Sequence, residues 1–414
     1  MNKFQPVKGM RDFVQEQAQK KQYIEELCKK TFEKYGYEPL QTPIVEDFSL
    51  LSAKGSAGEA IKEEIYYFKD KAERELGLRF DLTVPLARVV ASNPALPKPY
   101  KRYCIGQVYR YDKPQAKRYR EFTQADIDII GSNSVLADFE VLQVATEIMR
   151  NLGLEFIIKI NNRALLEEIA LKCAIPKDKV KECFRSLDKI DKIGIEGVKQ
   201  ELESKGLKTK ILEEIKENSI EKAKKIVEGK GIKEITELIE ICKENGLKET
   251  SFDVSLARGL EYYTGNVFEI SVKEGPSVGG GGRYDKLIEV YGGQSTPAVG
   301  ISLGIDRLYD TLEKKLKIEQ KTNLLVMPLS KNEFGYAIKL CEKLRQKNLN
   351  VEFDVMERNI RKNIEYATKK RIKFFTTIGE NEVKNGVIKI KDLTKQTEKE
   401  FNIKDYEKIV EYCK

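Results

Sequence analysis

Neither histidine nor tryptophan occurs anywhere in the 414 residues. The missing histidine excludes a Ser-His-Asp or Cys-His nucleophile system and any histidine metal ligand. Any chemistry must therefore run on Arg, Asp, Glu, Lys, Tyr, Gln and backbone dipoles. Cysteine is sparse, with seven scattered residues and no C-x-x-C pair. That spacing suggests neither a disulfide framework nor a zinc site, so no metal is expected on protein His or Cys. No stretch approaches the roughly eighteen consecutive apolar residues of a membrane helix. The opening "MNKFQPVKGMRDF" lacks the apolar run of a signal peptide. A reducing cytoplasm is the expectation, with no membrane partner.

What is present points to a mixed protein of two or three domains. The net charge is +8 on a chain that is 34% charged. Lysine-rich helices can produce that excess, and it is equally compatible with a polyanionic partner such as nucleic acid. Residues from Gln15 to about Tyr35 carry helical apolar spacing and stop at Gly36. "YEPLQTPIVED" is extended, because Pro39 and Pro43 forbid a long helix. "LGLRFDLTVPLARVVAS" reads as a strand entering a helix, and "YKRYCIGQVYRY" and "EFTQADIDIIG" as two strands joined by the basic loop "DKPQAKRYR". "DFEVLQVATEIMRNLG" is an amphipathic helix closed by Gly153. A Lys/Glu/Ile/Leu-rich tract, about 166–248, has helical spacing and reads as an inserted module. Strand-like segments return from Ser251 to Ile270 and in "AVGISLGIDRLYDTL". After the polar linker "KKLKIEQKT", strands alternate with helices, which implies a small α/β domain.

Alternation puts every second strand residue on one face. In "EFTQADIDIIG", Gln124, Asp126 and Asp128 share a face; in "LRFDLTV", Arg79, Asp81 and Thr83 do. An exposed sheet face would explain either set, whereas the first also suits a ligand bearing an ammonium group and N–H donors. Arg110, level with Val108, Gly106 and Cys104, is a solvated charge or an anion clamp whose planar fork matches phosphate oxygens in pairs. Arg118 and Arg120 add charge across the loop. Gly300 and Gly304 sit where a strand becomes a helix, with Arg307 in its first turn. They serve helix packing, or they let a phosphate-bearing ligand approach the backbone. "VGGGGRYD" has neither dinucleotide nor P-loop spacing and reads as a tight turn or as a backbone floor beneath a ligand. "ARGLEYYTGNVFEI", Ala257–Ile270, reads as a strand that gathers a cation and several phenols.

Taken in order, "YEPLQTPIVED", "YRYDKPQAKRYREFTQADIDIIG", "RGLEYYTG", "GGRYD" and "AVGISLGIDRL" resemble the histidyl-tRNA synthetase family of class II aminoacyl-tRNA synthetases. The first, second and last segments resemble class motifs 1, 2 and 3; the other two resemble the histidine-specific motifs, and "VKGMRDF" the family's opening. The resemblance implies an α/β (α+β) catalytic domain, 1–321, built on an antiparallel sheet flanked by helices, and an anticodon-binding α/β domain, 322–414. It implies a homodimer acting on L-histidine, ATP with Mg²⁺, and tRNA(His). Arg110 and Arg307 would hold ATP phosphates beside Gly304, with Arg118 assisting. Arg258 would bridge the substrate carboxylate and the α-phosphate, making Arg258 and Arg110 the catalytic pair. Asp81, Thr83 and Gln124 would take the α-ammonium; Asp128 and Tyr263 the imidazole nitrogens; Tyr262 and Tyr284 would complete the histidine pocket. Gln115, Lys117 and Arg120 would meet tRNA. Many bacterial members carry glutamate at the positions of Asp81 and Asp128, so the chain resembles the archaeal or eukaryotic type.

Three alternatives remain. A synthetase-like regulatory subunit of ATP phosphoribosyltransferase normally lacks the tail domain and tends to lose the catalytic arginine. A threonyl-, prolyl- or glycyl-type synthetase shares the architecture without "RGLEYYTG" and "GGRYD". An RNA-binding protein on a dead synthetase scaffold would not need Arg110, Arg258 and Arg307.

Overall fold

The computed structural model describes residues 4–53, 64–111, 118–257, 262–273 and 275–414. The chain divides into two compact units, Met1–Leu316 and Lys317–Lys414. In the first unit the strands are β1 (Glu38–Pro39), β2 (Val45–Asp47), β3 (Tyr67–Lys69), β4 (Glu75–Leu78), β5 (Tyr100–Tyr109), β6 (Glu121–Ile130), β7 (Phe156–Asn162), β8 (Thr250–Phe252), β9 (Asn266–Val272), β10 (Ser277–Arg283) and β11 (Ala298–Gly304). Eight of them form one sheet in the order β1-β5-β6-β11-β10-β9-β7-β8, while β2-β4-β3 form a small separate one. The large sheet is antiparallel except at its two edges, where β1 runs parallel to β5 and β8 to β7. The expected antiparallel sheet flanked by helices is therefore present.

Helix Glu16–Lys34 buries Ile24, Cys28, Thr31 and Phe32, a single stripe of i, i+4, i+7, i+8 spacing, in the main core. Helix Val135–Asn151 starts where the Ser134 hydroxyl accepts the Leu136 N–H, and buries Val141, Leu142, Ala145 and Ile148. The 166–248 tract is helical, from the Asn162-capped helix Arg163–Lys172 to helix Lys230–Glu244, and its apolar residues join the same core.

Three local expectations change. Strand β4 ends at Leu78, and the helix that follows it runs Thr83–Ser92. Arg79, Asp81 and Thr83 are thus not alternating strand residues: Asp81 accepts the Val84 N–H at 2.9 Å and turns the chain into the helix. Among the described residues of Ala257–Ile270, regular strand pairing begins at Asn266. The four glycines of "VGGGGRYD" form neither a turn nor a loop but the body of β10, inside the sheet.

The second unit carries β12 (Leu324–Pro328), β13 (Val351–Phe353), β14 (Phe374–Ile378), β15 (Val387–Asp392) and β16 (Thr397–Asn402), ordered β13-β12-β14-β15-β16. The first three are mutually parallel, as strand–helix–strand crossovers require. Among the described residues no helix is long and apolar enough to cross a membrane.

Candidate active site

Strand register builds the site. Residues directly opposite one another point to the same side of a sheet. Across β5, β6 and β11 this yields three rows: Gly106–Gln124–Gly304, Cys104–Asp126–Ser302 and Arg102–Asp128–Gly300. On β10, Gly280 lies opposite Ser302 and Gly282 opposite Gly300. On the β11 side the polar face of β6 is flanked only by glycine and serine, and the Asp128 carboxylate occupies the place that a side chain at Gly300 would fill. From Gln124 to Asp128 the floor runs ~14 Å, at about 3.4 Å per residue.

One end is cationic. Arg110 follows β5 directly rather than lying within it; its Nε donates to Phe80 O at 3.1 Å and its guanidinium stands 5.2 Å from the Phe122 ring centroid. Arg307 is exposed in the first turn of helix Ile305–Leu312 and donates to Ser277 O at 2.7 Å. Gly304 caps that helix, and a Cβ there would meet nothing nearer than 3.5 Å. Arg118 is exposed; Arg120 is half-buried, its guanidinium 4.3 Å from the Tyr111 ring centroid. Arg258, Gln115 and Lys117 lie outside the described residues.

The other end is anionic and phenolic. Asp128 is buried between the Tyr284 hydroxyl, which donates to Oδ1, and Arg102, whose Nη2 forms an ion pair with Oδ2 at 2.6 Å. Tyr262 donates to Tyr263 at 3.2 Å, and its ring centroid lies 6.2 Å from that of Tyr284. Burial raises the Asp128 carboxyl, and Arg102 and Tyr284 pull it back down without cancelling the rise. Asp126 is pushed up to about 7, first by burial, with Arg102 opposing and Asp128 adding. Burial disfavours the charge on Arg102, but Asp128 and then Asp126 more than offset it. All three phenols are raised chiefly by burial. They stay protonated and donate.

Several residues in and around the site were not singled out from the sequence. Arg102 has no solvent exposure and also donates to Leu82 O at 3.2 Å. Ser302 accepts from Gln124 Nε2 at 2.6 Å and hydrogen-bonds Asp126. Arg11, in the opening segment, donates to Asp310 at 2.7 Å and Asp306 at 3.1 Å. Asp306 in turn accepts the Thr123 N–H at 2.7 Å, tying the helix that carries Arg307 to β6. A hairpin register for β5 and β6 would have revealed Arg102, since Asp128 is its direct partner.

Gln124 Oε1, Asp126 Oδ1 and Asp128 Oδ2 are buried acceptors with no hydrogen-bond partner among the described residues, although Asp128 Oδ2 is ion-paired with Arg102. Such atoms cost free energy unless something donates to them. The site is thus poised for a ligand with anionic groups at one end and N–H donors along the floor. Among the described residues no group of three acidic or cysteine side chains could hold a metal ion.

Two family models match. One, described as histidyl-tRNA synthetase, covers residues 9–308; the other, an anticodon binding domain, covers 323–412. The histidine–tRNA ligase 1 of Bacillus cereus is 36% identical over 96% of this chain and 97% of its own length. The histidine–tRNA ligase of Pyrobaculum islandicum is 37% identical over 95% of each chain. The solved histidyl-tRNA synthetase of Nostoc sp. PCC 7120 superposes with a TM-score of 0.85 at 29% identity, covering 100% of both chains. A Bacillus halodurans chain described as an ATP phosphoribosyltransferase regulatory subunit/histidyl-tRNA synthetase, 22% identical with a TM-score of 0.77 over 91% of this chain and 98% of its own, shares the fold.

Proposed function

The chain belongs to the histidyl-tRNA synthetase family, and on that premise we propose that it is a histidine–tRNA ligase. It joins L-histidine to ATP as histidyl-adenylate, releases pyrophosphate, and passes the histidyl group to the 3′ end of tRNA(His). The observation that carries this reading is the two-ended floor. Arg110 and Arg307 mark one end; Gln124, Asp126, Asp128 and Tyr284 mark the other.

The amino acid's own carboxylate attacks the α-phosphate. With an ordinary pKa near 3.5 it is ionised at pH 7 and needs no protein base. A chain without histidine can therefore perform the step. The protein's task is alignment and charge stabilisation. Arg110 and Arg307, with Arg118 assisting, hold phosphate oxygens against Gly304, and Arg258 bridges carboxylate and α-phosphate. Asp81, Thr83 and Gln124 take the ammonium, Asp128 and Tyr263 meet the imidazole, and Tyr262 and Tyr284 close the pocket. Mg²⁺ neutralises phosphate charge when bound. It needs no all-protein cage, because this ion takes one or two carboxylates beside phosphates and waters. The second unit supplies the anticodon contacts, and Gln115, Lys117 and Arg120 further contacts to tRNA, in a cytoplasmic homodimer.

Amino-acid-dependent ATP–pyrophosphate exchange tests the reading, one amino acid at a time. Exchange is expected with histidine alone. It should fall on the order of 10²–10³-fold in Arg110→Ala and Arg258→Ala, as for a lost transition-state donor. No exchange with any amino acid would return the weight to a regulatory or RNA-binding protein.

A further inference from the structure

We propose that Asp126 is a further specificity-determining residue, whose buried Oδ1 accepts an N–H of the α-ammonium of the bound amino acid together with Gln124 Oε1. The inference rests on the histidine–tRNA ligase reading and adds a contact to it. Asp126 is only 3% exposed, yet one of its carboxylate oxygens has no partner among the described residues. The adjacent inward residue, Gln124, has the same deficiency at Oε1. These two orphans are consecutive on one face of β6 and are linked through Ser302, which accepts from Gln124 Nε2 at 2.6 Å and hydrogen-bonds Asp126. The link ties both side chains to one hydroxyl through polar atoms other than these two oxygens.

Asp128 is engaged differently: its Oδ1 accepts from the Tyr284 hydroxyl and its Oδ2 is ion-paired with Arg102 at 2.6 Å, at the end of the floor assigned to the imidazole. An ammonium carries three donors and one positive charge. It satisfies two orphaned acceptors at once and offsets the surplus negative charge left by two carboxylates beside one arginine. Burial pushes the Asp126 carboxyl up to about 7, against Arg102 and with Asp128 and Asp81 adding. Tyr263, Cys104 and Ser302 also face it. Binding a cation would return the carboxylate to its charged form.

The test is Asp126→Asn in the full-length protein, with equilibrium binding of histidine and of imidazolepropionate, which lacks the ammonium. Loss of a charge-assisted hydrogen bond weakens histidine binding about 10–100-fold. Imidazolepropionate binding should change less than about two-fold, and the KM for ATP in exchange should stay put. Because the chain has no histidine of its own, imidazole proton resonances in the complex belong to the ligand alone. They should be retained in the variant at saturating histidine. At pH 7.5 the ligand-free variant should be as stable as the wild type or more so, since a disfavoured charge has been removed. A merely structural aspartate would instead lose stability together with affinity for both ligands. Equal weakening of both ligands, or unchanged histidine binding, overturns the proposal. Failure of the wild type to bind histidine overturns the ligase reading instead. Should Asp126→Asn not fold, Ser302→Ala carries the test, with a loss of roughly 3–10-fold confined to histidine expected from one misdirected hydrogen bond and equal binding of histidine overturning it.

Discussion

Arg102 shows how much a single residue can hold. It is a fully buried guanidinium facing Asp128 at 2.6 Å, and its charge is kept by two aspartates against the cost of burial. Removing one partner of such a pair leaves the other charge uncompensated. Arg102→Met should therefore cost about 3–5 kcal/mol in urea denaturation at pH 7. Tyr284→Phe, which removes only one hydrogen bond to the same carboxylate, should cost about 1.5–3 kcal/mol. The Asp126 carboxyl is raised in the folded state, so its contribution to stability is present below the ordinary carboxyl range and is lost as pH climbs through about 7. The stability difference between Asp126→Asn and wild type should accordingly grow in the variant's favour from pH 5 to pH 8. The inward-facing set Gln124, Asp126, Asp128 was legible in the sequence because strand alternation alone places it. Arg102 was not, because alternation says nothing about which residue stands opposite across a loop.

At the scale of elements, the long helices and the β5–β6 pair were readable from period and punctuation, and two of the three segments that differ have definite causes. Arg79, Asp81 and Thr83 alternate in polarity, but Asp81 spends its carboxylate on the Val84 N–H, and a helix start overrides the pattern. Pro85 falls within the first turn of that helix, where a missing N–H costs nothing. The glycine run offered only its lack of side chains, which suits a turn as well as a crowded strand. Crowding decides it. A Cβ on Gly281 would come within 2.1 Å of Gly300 O, whereas on Gly280 the nearest atom is Phe268 O at 3.2 Å. Gly281→Ala should cost at least about 3 kcal/mol as an overpacked site, and Gly280→Ala about 1 kcal/mol or less, both readable from thermal denaturation. Equal costs would mean that the run is glycine for some reason other than space.

For the whole molecule, the plan of a large sheet with helices and a small α/β unit followed from the order of strand and helix patterns. The identities of the site residues came from motif resemblance as well as from period. In the middle of that sheet, β10 joins the β1-β5-β6-β11 half, which carries Gln124, Asp126 and Asp128, to the β9-β7-β8 half, which leads to the helical tract. A strand of consecutive glycines has no inward and outward side chains to distinguish one alignment from the next, so its own sequence sets no register. Alignment must be imposed from its ends. Arg283 reaches the buried Asp138, whose carboxylate also accepts from Asn266 on β9 at 3.1 Å, and the next residue, Tyr284, reaches Asp128 on β6. A slip of one residue along this seam would cost the glycines nothing but would break these bonds together. The two halves of the sheet are thus indexed to each other by a pair of polar pins at one end of the strand and by the buried Val278 at the other, and the four glycines between them are blank.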